Sequence, residues 1–135
     1  MLKPLLVAVL LTGLCTPIAA AAPPSTCLEP PVSGKVELCV DILPYGGREF
    51  AAYGRFIPVD AQVPATLKVV VQQRREMWPD PTTVVEKTVT GAGGLSAVTD
   101  GAKVGDDATA VRACSTGWTE ISSRSYEVCT RWQTV

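Results

Sequence analysis

The chain has 135 residues, five cysteines, no histidine and nearly balanced charge, with 12 Lys plus Arg against 13 Asp plus Glu for a net charge of −1. Lacking histidine, it has no Ser-His-Asp or Cys-His catalysis, no usual general base near neutral pH and few routes to a catalytic zinc site. Lacking a basic excess, it has no electrostatic footprint for nucleic acid or an anionic membrane.

The first residues, MLKPLLVAVLLTGLCTPIAAAA, combine one lysine, an apolar run from Leu5 to Leu14, a Thr16-Pro17 break and small residues ending in alanines. That order of features is a secretory signal peptide, and the run is too short to span a bilayer. Cleavage after Ala21 is expected, because Ala19 and Ala21 then fill the two small-residue positions. Leu14 stands directly before Cys15 where a bacterial lipobox wants Gly or Ala, so lipidation is not expected. Cys15 leaves with the signal. Cys27, Cys39, Cys114 and Cys129 remain, and an even set in an exported chain predicts disulfides in a secreted, extracellular protein of one domain.

Residues 22–34, APPSTCLEPPVSG, carry four prolines, each lacking a ladder donor, and are expected to form an extended arm. From Lys35 to the end, short β-branched runs are cut by turn residues and no helical period appears. KVELCVDIL (35–43) alternates, with Val36, Leu38, Val40 and Ile42 facing inward. EFAAYGRFIPV (49–59) follows, then ATLKVVVQQRREM (65–77) with Leu67, Val69 and Val71 inward. WPDP (78–81) reads as a turn and TTVVEKTV (82–89) as a hairpin partner or edge strand. LSAV (95–98) is short and weak. ATAVRAC (108–114) and SYEVCTRW (125–132) form the last pair, joined by a loop that contains Gly117 and Trp118. Six to seven antiparallel strands at this spacing predict an all-β, immunoglobulin-like β-sandwich over residues 35–135.

Period two puts Tyr126, Val128, Thr130 and Trp132 on one face of the last strand, while Cys129 sides with Glu127 and Arg131. Cys114 likewise sides with Arg112, and Cys39 with Lys35, Glu37 and Asp41. Cysteines on faces opposite the core cannot tie one sheet to the other. They tie neighbouring strands, or the arm, along the outside. Four cysteines allow three connectivities, and face matching favours Cys27–Cys39 with Cys114–Cys129. This differs from antibody domains, whose bridge crosses between sheets against a central tryptophan.

The remaining chemistry is thin. Asp100, Asp106, Asp107 and Glu120 fall near loops, but no spacing singles out two as an acid–base pair. DGAKVGDD (100–107) lacks the alternating oxygen ligands and terminal glutamate of a calcium loop, and its Asp-Gly and Gly-Asp steps are turn chemistry. No catalytic residue, metal or cofactor is expected. Binding has better candidates. RREMWPDP (74–81) offers Arg74, Arg75, Met77 and Trp78 at a hairpin tip beside Pro79 and Pro81, residue types enriched at interface cores on a segment that loses little entropy when bound. Trp118 and, more weakly, Tyr45 beside Gly46 and Gly47 present the same choice between contacting a partner and capping the sandwich. In the arm, Pro23, Pro24, Leu28, Pro30 and Pro31 suit docking as an extended segment.

The alanine-rich signal, the proline-rich start, LCVDIL on the first strand, RAC on a late one and YEVCTRW at the end resemble small secreted β-sandwich proteins of actinobacteria. In plan the chain is similar to the small adaptor subunits of umbrella toxin particles, which are secreted antibacterial assemblies. The resemblance implies a disulfide-bonded linker between a lectin-like subunit and a large toxin-bearing one, with residues 23–31 engaging one partner and a face of the sandwich the other. The expected function is therefore that of a non-enzymatic adaptor whose partners are larger secreted proteins. The alternative is a secreted inhibitor of a protease or glycosidase that presents residues 74–81.

Overall fold

A computed structural model describes residues 25–28 and 36–135. The signal segment and the arm prolines Pro23, Pro24, Pro30 and Pro31 lie outside the described residues. Among the described residues ten strands form: β1 (Thr26–Cys27), β2 (Glu37–Gly46), β3 (Glu49–Ile57), β4 (Ala65–Arg75), β5 (Trp78–Gly91), β6 (Leu95–Val98), β7 (Ala102–Lys103), β8 (Ala108–Thr119), β9 (Ser125–Cys129) and β10 (Gln133–Thr134). They make two antiparallel sheets. One runs β1-β2-β3-β6 with β7 also on β3, and the other runs β10-β8-β4-β5 with β9 also on β8. The seven strands expected from sequence are present, joined by three two-residue pieces at the edges.

The alternation of apolar residues accounts for the core. Leu38 and Val40 of β2, Ala52 and Phe56 of β3, Leu67, Val69 and Val71 of β4, and Val111 and Ala113 of β8 form one buried cluster, with Val36 and Ile42 packed against it. Burying each large apolar side chain contributes roughly 1.5 to 3 kcal/mol. The two sheets approach closely because β3 and β8 alternate in bulk. Phe56 faces Gly117, and Gly54 faces Ser115, so each large or polar side chain meets a small one.

Both disulfides form as face matching predicts, Cys27–Cys39 and Cys114–Cys129. In each the two cysteines are direct register partners of adjacent strands. Leu28 N donates to Leu38 O at 2.9 Å and Thr130 N to Ala113 O at 2.8 Å. The neighbouring pairs thus take the hydrogen bonds, leaving each cysteine pair at a non-hydrogen-bonded position where strands approach most closely. The Cα–Cα separations are 4.0 and 4.1 Å. Cys39 and Cys114 are 4% and 3% exposed, yet neither belongs to the inter-sheet core cluster. The bonds staple one edge of each sheet along its outer face and imply an oxidising compartment.

Three expectations need correction. WPDP is not a turn: the chain reverses at residues 76–77, Trp78 pairs with Arg75, and residues 78–81 begin β5. Prolines are tolerated there because β5 is an edge strand, free to lose ladder donors. Trp118 is not in a loop, since β8 continues to Thr119 and pairs with the full length of β4, from Arg75↔Ala108 to Ala65↔Thr119. Thr26 and Cys27 of the arm add to the edge of β2, which leaves the expectation that the arm joins no central strand intact. Trp132 does not share the face of Tyr126 and Val128. β9 pairs with β8 in the register Cys129↔Cys114, but β10 pairs as Gln133↔Val111, one residue out of step. One extra residue between them is a bulge, and a one-residue slip turns every later side chain to the other face.

Candidate functional site

The β4–β5 hairpin projects its tip with little cover. Met77 is 87% exposed and Trp78 65% exposed, and Arg74 is also exposed. Trp78 therefore does not fold back to cap the sandwich. Behind the tip the structure is firmly tied. Gly105 N donates to Gln73 Oε1 at 2.7 Å, and Arg48 Nη2 donates to the carbonyls of Gly105 and Ala108 at 2.8 and 2.9 Å. Val104 N in turn donates to Arg48 O at 2.9 Å. Arg48 sits in the β2–β3 turn at φ 67°, so one side chain ties that turn to the connection that carries the chain from β7 to β8. Arg75 Nε lies 3.0 Å from Asp107 Oδ1, an ion pair whose angle falls outside hydrogen-bond geometry. A shallow concavity of about 290 Å³ beside the tip is lined by Arg75, Trp78, Asp80 and Thr82. Tyr45, 62% exposed, lies near the end of β2, beside the neighbouring turn at this same end.

The other sequence candidates lie elsewhere. Trp118 is half-buried within β8, paired between Thr66 and Ser125 near the opposite end of the sandwich. Leu28 packs against the core cluster and donates its backbone N–H to Leu38, which makes it part of the stapled edge. Asp100, Asp106, Asp107 and Glu120 are all exposed on loops or turns. Among the described residues no group of three or more His, Cys, Asp or Glu is placed to hold a metal ion, and no helix is long and apolar enough to cross a membrane.

Two features escaped the sequence reading. At the end opposite the tip, Val36, Phe56, Val59, Val63, Ile121 and Tyr126 line an apolar cleft of about 270 Å³, with Asp60 and Arg124 also on its walls. Ile121 lies in a connecting segment, where no periodicity marks an apolar residue as meaningful, and Val59, expected at the end of a strand, lies just past β3, which stops at Ile57. On the outer face of the second sheet, Trp132 carries two guanidinium groups over its ring, Arg112 Cζ at 4.5 Å and Arg74 Cζ at 4.8 Å from the centroid. Arg112 Nε also donates to Gln72 Oε1 at 2.9 Å. The bulge produces this stack, because extending the β10 register places Trp132 opposite Arg112.

Compared with protein families, characterised proteins and solved structures, the chain matches none.

Proposed function

We propose that this is a secreted, non-enzymatic binding module, an adaptor linking larger subunits of an exported antibacterial toxin complex. The observation that carries the reading is the β4–β5 tip, where Met77 and Trp78 stand in solvent on a hairpin whose base is pinned by Gln73, Arg48 and the Arg75–Asp107 pair. An exposed aromatic on a braced support loses little conformational entropy on binding, and Trp, Met and Arg are residue types that interfaces favour. The signal-like N-terminus and the two disulfides agree with export. The resemblance in plan to adaptor subunits of umbrella particles supplies the kind of complex.

Tagged recovery from culture supernatant, followed by gel filtration and mass spectrometry of co-eluting proteins, tests this. Stoichiometric co-elution with much larger secreted proteins, lost when Trp78→Ala is combined with Met77→Ser, is the expected result. A lone small species overturns the adaptor reading. The projecting hairpin also suits the second reading, an inhibitor of a secreted protease or glycosidase, and a lone species that blocks such a hydrolase through Trp78 and Arg75 would establish it.

A further inference from the structure

We infer that the outer face of the second sheet, centred on Trp132, is a second docking surface, specific for a carboxylate-rich peptide segment of a partner protein. The inference relies on the binding-module reading only for the existence of a partner. It concerns a different surface from the tip aromatics.

Two arginines converge on Trp132, Arg74 and Arg112, both standing over its ring. Among the described residues the ion pairs are Arg55–Glu37, Lys68–Glu86 and Arg75–Asp107, so neither arginine has a carboxylate partner there. Two carboxylates on the same face are engaged elsewhere. Glu86 holds Lys68, and Glu127 lies 3.5 Å from Thr116 Oγ1. This excess of positive charge stands out on a chain whose net charge is −1.

The geometry selects the ligand. A guanidinium stacked on an aromatic ring spends its π face and keeps its edge N–H groups free, and that planar fork matches a carboxylate bidentately. Arg112 is further oriented by Gln72, which uses Nε and leaves the two terminal nitrogens available. Such pre-orientation reduces what binding must order. A long polyanion such as nucleic acid or a sulfated glycan needs an extended basic track, whereas Glu127 and Glu86 on the same face interrupt this one after a few residues. A short acidic segment fits a patch of this extent.

The test uses the full mature chain and a fluorescently labelled hexaglutamate peptide, with binding followed by anisotropy at low and moderate salt. Saturable binding that weakens with salt is expected, and the Arg74→Gln/Arg112→Gln variant should bind at least about tenfold more weakly, a loss near 1.4 kcal/mol. Arg74→Lys, which keeps charge but loses the planar fork, should fall between the two. Arg74 is exposed and Arg112 half-buried, and a single cooperative thermal transition, lowered only by the few degrees that the lost ring contacts account for, confirms that each variant is folded. Trp78→Ala with Met77→Ser should leave hexaglutamate binding intact, separating this surface from the tip. Binding equal in wild type and the double variant, binding no better than that of a Gly-Ser peptide, or tighter binding of a sulfated oligosaccharide than of hexaglutamate would each overturn the inference.

Discussion

The ring of Phe56 packs directly over Gly117: a Cβ built at Gly117 would sit 2.7 Å from the ring carbons Cγ and Cδ2. Phe56 is 1% exposed, so the ring has no solvent side to retreat to. Gly117→Ala should destabilise the domain by about 1 to 3 kcal/mol, the usual cost of overpacking a core that can relax only partly. A urea midpoint shifted down with an unchanged slope is the expected reading. An unshifted midpoint would mean that the sheets separate freely at this point.

Ser115 lies two residues before Gly117 on the same inward face, fully buried, and its hydroxyl has no hydrogen-bond partner. A methyl group has no such requirement. Ser115→Ala should therefore be neutral or raise stability by about 1 kcal/mol, since the folded state no longer holds a desolvated and unsatisfied hydroxyl. Thermal unfolding followed by circular dichroism would detect it. A loss of stability would show that Ser115 holds an internal water or bonds a carbonyl in solution.

Much of this architecture was legible because period two is a strong signal wherever one face is buried. Leu38 and Val40, or Leu67, Val69 and Val71, announce their face by alternation alone, and the charged neighbours of Cys39, Cys114 and Cys129 announce the other. The disulfide pairing came from that. What alternation cannot show is an interruption of itself. The bulge before β10 moves Trp132 to the outer face without any glycine or proline to mark it, so the Arg74–Trp132–Arg112 stack was hidden. The apolar cleft was hidden for a related reason, because Val59, read as the end of a strand that stops at Ile57, and Ile121, an ordinary loop residue by its surroundings, come from segments distant in sequence. In the candidate tip, composition picked out Met77 and Trp78, while the turn itself was misplaced by reading Pro79 and Pro81 as turn residues rather than edge-strand residues.

Each disulfide spans a short loop, with sequence separations of 12 and 15 residues. In the chain-entropy model a loop of this length contributes roughly 3 kcal/mol. The Cys114→Ala/Cys129→Ala variant should lose about that much in urea denaturation. Its far-UV spectrum should still be that of a β-protein, because the core cluster draws on both sheets without using either bridge. Random-coil circular dichroism in the variant at room temperature would mean that the core cannot hold the fold without the staple.

The contacts of Trp132 with Arg74 and Arg112 also make a quantitative statement about stability, independent of any ligand. Each guanidinium lies within 5 Å of the ring centroid on a half-exposed surface, where a cation–π contact contributes about 0.5 to 1 kcal/mol. A double-mutant cycle on Arg112→Gln and Trp132→Leu should give a coupling energy of that size, since the two side chains touch and their changes cannot simply add. The salt dependence of the coupling is diagnostic. Stacking against the ring should leave most of the coupling intact in concentrated salt, whereas long-range attraction between Arg112 and a distant carboxylate would be screened away. Zero coupling would show that the last residues of the chain detach from β8 in solution, and that the one-residue bulge does not hold Trp132 over the arginines.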